Sequence, residues 1–137
     1  MNLWPKIHGA STHFPLALVL AALLFESLGF LASAKRREAL RAAGRYSILL
    51  GALGVFPAVL SGLFLTRGEI GGHGVLLYHH LFVWPSFAAI VALGVWLALA
   101  GVEPSARGIA IYFAVLLITA VLVTGAGYWG GELLLAS

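Results

Sequence analysis

Four stretches of the chain are almost wholly apolar, and the polar residues gather between them. The runs cover Phe14 to Ala34, Tyr46 to Leu65, His79 to Ala100, and Gly108 to about Tyr128. Each has about the 20 residues that an α-helix, rising about 1.5 Å per residue, needs to cross about 30 Å of hydrocarbon. The connections are short, so successive spans run antiparallel. The pattern predicts an all-α protein: an integral membrane four-helix up-down bundle that takes up the whole chain as one domain. The prolines fit. Pro15 falls in the first turn of the first run, where a missing N–H costs little, and Pro85 in the second turn of the third. Pro57, inside the second run, frees the carbonyl of Leu53 and bends that helix.

Composition strengthens this reading. At 61% hydrophobic and 9% charged, the chain lies outside the soluble range of about 45–50% apolar and about 25% charged. The net charge of +3 does not point to nucleic acid, because the basic residues sit beside apolar runs and orient them. Lys35, Arg36, Arg37, Arg41 and Arg45 form a basic loop after the first run, and Arg107 lies in the next loop on that side. Only Lys6 and Arg67 lie on the other. A positive excess marks the cytoplasmic side. Both termini and the Thr66 to Tyr78 connection are therefore expected outside, in the inner (cytoplasmic) membrane of a bacterial-type envelope. Aromatic belts agree, with Trp4, Tyr78, Trp84, Tyr128 and Trp129 at the outer boundary and Tyr46, Trp96 and Tyr112 toward the inner one. Ala32-Ser33-Ala34 resembles a signal-peptide cleavage site. The basic cluster follows the first run, however, and Glu26 interrupts it, so the segment is read as a retained span.

The candidate chemistry lies in the five histidines. His8 and His13 precede the first apolar run; His73, His79 and His80 precede or open the third. The topology places them all on the outer face. Imidazole is a suitable axial ligand for haem iron, a pair of them gives a low-spin electron carrier, and a bundle core is a common place for such a cofactor. With no cysteine, thiolate sites, iron–sulfur clusters and covalently attached haem are excluded. His13 and either His79 or His80 open helices at matched depth. His80 shares a helical face with Trp84, which is expected to look toward lipid at the interface. That leaves His79, on the face of Val83, Ser86 and Ile90, as the inward ligand. Gly54, Ala58 and Gly62 form a small-residue row that admits either a neighbouring helix or a flat cofactor. His8 and His73, placed in loops, are expected to face solvent, with a second site as the alternative. A Cu or Zn ion held by several histidines is the inorganic rival, although no tight ligand spacing supports it. Ser11 lies near His13, but no acid is placed to orient either, so a catalytic triad has no support. Glu26 is a carboxylate about 20 Å deeper than His13. An acid in that position has a partner or handles protons.

His13-Phe14-Pro15-Leu16-Ala17-Leu18 resembles the opening of the DUF2231 family of small four-helix bacterial membrane proteins. Ser61-Gly62-Leu63 is similar to that family's second-helix ending, and a histidine opens the third helix in both. Thr124-Gly125 followed by Gly130-Gly131-Glu132-Leu133 is similar to its closing segment. The resemblance spans nearly the whole chain and implies the fold; the family carries no established activity.

These observations together predict a b-type cytochrome membrane subunit carrying electrons between the quinone pool and an outer-face partner through a bis-histidine haem. Such a protein is an electron-transfer subunit rather than a stand-alone enzyme, with the lipid bilayer and a larger membrane complex or periplasmic redox protein as partners. A non-catalytic anchor subunit and a histidine-based Cu/Zn binder are the alternatives.

Overall fold

The computed structural model describes residues 3–100 and 105–135, and within them the chain forms four α-helices and no strand. Helix α1 spans Trp4–Leu31, α2 Ala34–Leu65, α3 Val75–Leu99 and α4 Ala106–Leu135. All four are long and apolar enough to cross a membrane. The turn expected around Pro104 lies outside the described residues.

The helices outrun the apolar stretches. Helix α1 begins at Trp4 with Pro5 in its opening positions, so Pro15 lies inside the helix rather than in its first turn. The polar residues ahead of Pro15 do not stop the helix, because their hydroxyls bond back onto it: Ser11 Oγ donates to His8 O and Thr12 Oγ1 to Gly9 O, each at 3.0 Å. The basic stretch read as a loop is also helical. Only Ala32 and Ser33 separate α1 from α2, and Lys35 to Arg45 make up the first turns of α2. Lys, Arg, Glu, Ala and Leu are strong helix formers, so the helix continues where the hydrocarbon ends. With 32 residues α2 is about 48 Å long, well beyond the hydrocarbon thickness. Arg37 closes the corner, its Nε donating to Gly29 O (3.1 Å) and its Nη2 to Ala32 O (3.2 Å) at the end of α1. At the far end of the chain, α4 runs through Gly125, Gly127, Gly130 and Gly131 to Leu135. A broken helix in lipid would leave backbone groups unbonded, and that outweighs the weak helix propensity of glycine.

The core is built from Ile48, Ile90, Leu93 and Leu116 together with many small residues, and apolar side chains also cover the exterior. Leu53, Leu60, Leu81, Ile118 and Val121 are exposed on the exterior, whereas Ala22, Ala58, Ala120, Ala126, Gly44, Gly51 and Gly94 are buried. Small residues let the backbones approach, and in lipid that close packing replaces a hydrophobic driving force. A Cβ on Gly94 of α3 would come within 2.5 Å of Ala52 Cβ on α2, which marks the closest approach of those helices. Three buried hydroxyls bond back to their own helices: Ser47 donates to Ala43 O, Ser86 to Phe82 O and Thr119 to Val115 O.

Helices α1 and α2 form one tightly packed hairpin and α3 and α4 another, and the two meet along narrower seams between α2 and α3 and between α1 and α4. The bundle therefore has two ends. One carries the N-terminus of α1, the α2–α3 connection and the C-terminus of α4; the other carries the basic turns of α2. The α2–α3 connection starts from a Schellman ending, with Gly68 N donating to Leu63 O (2.7 Å) and Arg67 N to Phe64 O (3.4 Å). Arg67 and Gly68 both take positive φ there. This ending turns the following residues back over the bundle.

Candidate functional site

A cavity of about 370 Å³ lies at the first of these ends, walled by all four helices, within the size range of small-molecule and cofactor sites. It falls where the two hairpins part. Apolar side chains such as Leu16, Val59, Phe87 and Val123 supply its walls. Four of the five histidines line it: His8 and His13 from α1, and His79 and His80 from α3.

His8 and His79 occupy matching places in the two hairpins. Each comes from the first helix of its hairpin and reaches across to the second. His8 Nδ1 donates to Ala58 O at 3.0 Å, with Ser61 Oγ at 3.1 Å beside it. His79 Nδ1 donates to Ala126 O at 2.9 Å. Each ring also lies over the glycine one turn beyond its carbonyl. A Cβ on Gly62 would stand 2.9 Å from His8 Cε1, and one on Gly130 would stand 3.2 Å from His79 Cε1. The A-x₃-G spacing of Ala58 to Gly62 recurs in Ala126 to Gly130. A carbonyl oxygen can only accept, so Nδ1 carries the proton in both rings. Nε2 then holds the lone pair, and among the described residues no group bonds to it. An imidazole fixed through Nδ1 on a backbone carbonyl is the usual state of a metal-ligating histidine.

The other two histidines share the tautomer but not the setting. His13 Nδ1 bonds Gly9 O of its own helix, and the residue is exposed at the cavity rim. His80 is 7% exposed. Helical direction predicts that it turns toward lipid with Trp84, and the structure places it inside instead. The returning α2–α3 connection is the reason: Trp84 Nε1 donates to Ile70 O and His80 Nδ1 to Gly71 O, both at 2.8 Å, so the loop covers this face. His79 and His80 both border the cavity, with ring centroids 5.8 Å apart.

The remaining candidates separate. His8 is helical and half-buried rather than a solvent-facing loop residue. His73 is fully exposed, 4.0 Å from Glu69, and does not line the cavity, so His8 and His73 do not share a second site. Among the described residues no three His, Cys, Asp or Glu side chains come together in a metal-holding group. Ala58 and Gly62 border the cavity, but Gly54 does not. A Cβ there would lie 2.5 Å from the Phe14 ring, so Gly54 serves α1–α2 packing. Gly127 and Gly130 of α4, which line the cavity beside Leu16 and His79, are not among the candidate site residues read from sequence, although Gly130 lies in the closing segment that carries the family resemblance. The repeated A-x₃-G spacing is the signal that points to Gly130. Glu26 lies far from this site, 3.8 Å from Arg41 at the basic end. Tyr112, assigned to an interfacial belt, is buried there too.

The family described as Predicted membrane protein (DUF2231) matches residues 5–136. No curated protein and no solved structure matches the chain.

Proposed function

The chain belongs to the DUF2231 family of predicted membrane proteins, and from that premise we propose that it is a b-type cytochrome subunit. In this reading the cavity between the hairpins would hold a single haem, which would supply electron transfer between the quinone pool and a partner at the outer face of a bacterial inner membrane. One observation carries it: His8 and His79, from opposite hairpins, are each held by Nδ1 on a backbone carbonyl and border one apolar cavity, with no partner on Nε2 among the described residues. These residues fit the group. A haem bound there would supply one-electron chemistry at a low-spin iron with two imidazole ligands.

Each side chain has a role in that proposal. His8 and His79 would hold the group, and Ala58 O and Ala126 O fix their tautomer and orientation. Gly62 and Gly130 give the rings room to lie flat against α2 and α4. The apolar walls keep water from the centre. Sequence reasoning prefers His13 to His8, but the exposed position of His13 and its bond to its own helix favour His8. The cavity lies at the end opposite the basic turns of α2, and the positive-inside rule sets that end outward.

The test is the spectrum of the purified protein. A reduced-minus-oxidised difference with b-type bands is expected, lost in His8→Ala and in His79→Ala and retained in His73→Ala. A colourless protein with bound copper or zinc would support the inorganic alternative, and one without any cofactor would leave the anchor-subunit reading.

A further inference from the structure

At the end of the bundle opposite the histidines, a second cavity of about 30 Å³ is bordered by Glu26 of α1, Arg41 and Arg45 of α2, Trp96 of α3 and Tyr112 of α4. Glu26 is 3% exposed and Tyr112 6%. Glu26 Oε2 stands 3.8 Å from Arg41 Nε, close enough for an ion pair and too far for a hydrogen bond. Arg41 Nε and Tyr112 Oη are both buried and have no hydrogen-bond partner among the described residues. Buried donors are normally bonded, and when the protein supplies no acceptor a water does.

The cavity has the room and the partners for one. It exceeds the roughly 10–15 Å³ that a single water requires, and its polar groups match the bonding capacity of water. The oxygen of a water held there would accept from Arg41 Nε–H and from the Tyr112 hydroxyl. One of its O–H groups donates to the Glu26 carboxylate. The other is left for the aqueous phase at the basic end, reached past Arg41, whose side chain is 25% exposed while that of Glu26 is 4%. Gly44 makes space for the carboxylate, since a Cβ there would lie 3.3 Å from Glu26 Oε1.

We propose that this cavity is a proton-exchange site, in which a water held by Arg41 and Tyr112 carries protons between Glu26 and the aqueous phase at the basic end. In uptake, the water gives its hydrogen-bonded proton to a Glu26 oxygen and takes one from hydronium outside. The water is restored, and only the charge of Glu26 changes. The charged and titratable groups facing Glu26 are Arg41 and Arg45 from α2 and Tyr112 from α4, while α3 offers the Trp96 ring and no charge. A static ion pair would join guanidinium and carboxylate directly. The 3.8 Å gap and the two unbonded donors do not match that arrangement. The proposal does not depend on the haem, which would lie at the other end.

The experiment is pH-step infrared difference spectroscopy on the full chain in lipid vesicles, in H₂O and D₂O. A titrating protonated-carboxyl band is expected, absent in Glu26→Gln, that shifts in D₂O within the mixing time. Tyr112→Phe keeps the ring and removes a hydroxyl with no hydrogen-bond partner among the described residues, so the fold should survive. It should slow the deuterium shift about tenfold, because the water loses one of its holders. Arg41→Lys, which keeps the charge but has no Nε–H, should do the same. The proposal is overturned if no titrating band is lost in Glu26→Gln, or if both other variants exchange as fast as the wild type.

Discussion

Gly62→Ala asks whether His8 is a ligand set in place by its neighbours on α2. The added Cβ would stand 2.9 Å from His8 Cε1. Carbon atoms settle about 3.5–4.0 Å apart, so the ring must retreat by about 0.6–1.1 Å. Its Nδ1 bonds, 3.0 Å to Ala58 O and 3.1 Å to Ser61 Oγ, would then stretch to about 3.6 Å or more, where no hydrogen bond remains. Leaving a buried donor unbonded costs about 1–3 kcal/mol, or about 5- to 150-fold in haem affinity if His8 ligates. Gly130→Ala is the comparator. Its Cβ would lie 3.2 Å from His79 Cε1, so the ring retreats about 0.3–0.8 Å and the 2.9 Å bond to Ala126 O is strained rather than lost in every case. Gly131→Ala meets nothing within 4 Å and serves as the control. Alanine favours a helix over glycine by about 1 kcal/mol, so weaker haem binding in Gly62→Ala could not be ascribed to a loosened helix. The assay is the haem-to-protein ratio of each purified variant, with haem titration into the apoprotein. The expected order of loss is Gly62→Ala, then Gly130→Ala, with Gly131→Ala unchanged. An undisturbed Gly62→Ala spectrum, or equal damage from Gly131→Ala, would refute the placement of His8.

Three further expectations test other parts of the structure. Gly94→Ala should destabilise the bundle by about 1–3 kcal/mol in thermal unfolding, because its Cβ would lie 2.5 Å from Ala52 Cβ; Ala52→Gly in the same chain should restore stability. Ser61→Ala removes the hydroxyl that lies 3.1 Å from both His8 Nδ1 and Ser11 Oγ, and should weaken haem binding about tenfold while the fold is kept, read by the same titration. In intact cells, Glu69→Cys should react with a membrane-impermeant thiol reagent and Ser33→Cys should not, with no native cysteine to interfere; the reverse pattern would turn the histidine cavity inward.

Much of the fold is legible because lipid simplifies the problem. Four apolar runs of sufficient length admit one solution for their backbones, and short connections force antiparallel neighbours. What the runs do not mark is where each helix ends. Hydropathy changes at Phe14 and at Tyr46, but the backbone at Trp4 and Ala34 responds to helix propensity, which Lys35 to Arg45 satisfy in water as well as in lipid. The same error moved His8 into a loop and Pro15 into a first turn. Once α1 is extended back to Trp4, His8 lies one turn inside the helix and at the depth of Ala58 and Gly62.

The site is less legible, because its decisive contacts join residues far apart in sequence. Helical geometry correctly sets His79 and His80 in different directions, but it cannot say what fills the space beside each. His80 is buried because Gly71, nine residues earlier, returns through the Schellman ending at Arg67 and accepts its proton. The carbonyls that hold His8 and His79 lie fifty and forty-seven residues away from them. Those partners carry a trace in the sequence, since an alanine and a glycine at the same spacing occur at one end of α2 and again at the same end of α4. Each pair does two things for the imidazole laid across it. The alanine is small enough for its carbonyl to be approached from the side, and the glycine lets the ring come down flat one turn further on. Two hairpins that repeat this device, packed tightly within themselves and loosely against each other, leave a cavity that both oriented imidazoles border. A flat group entering that cavity would displace little packing, and the two imidazoles that border it have no partner on Nε2 among the described residues.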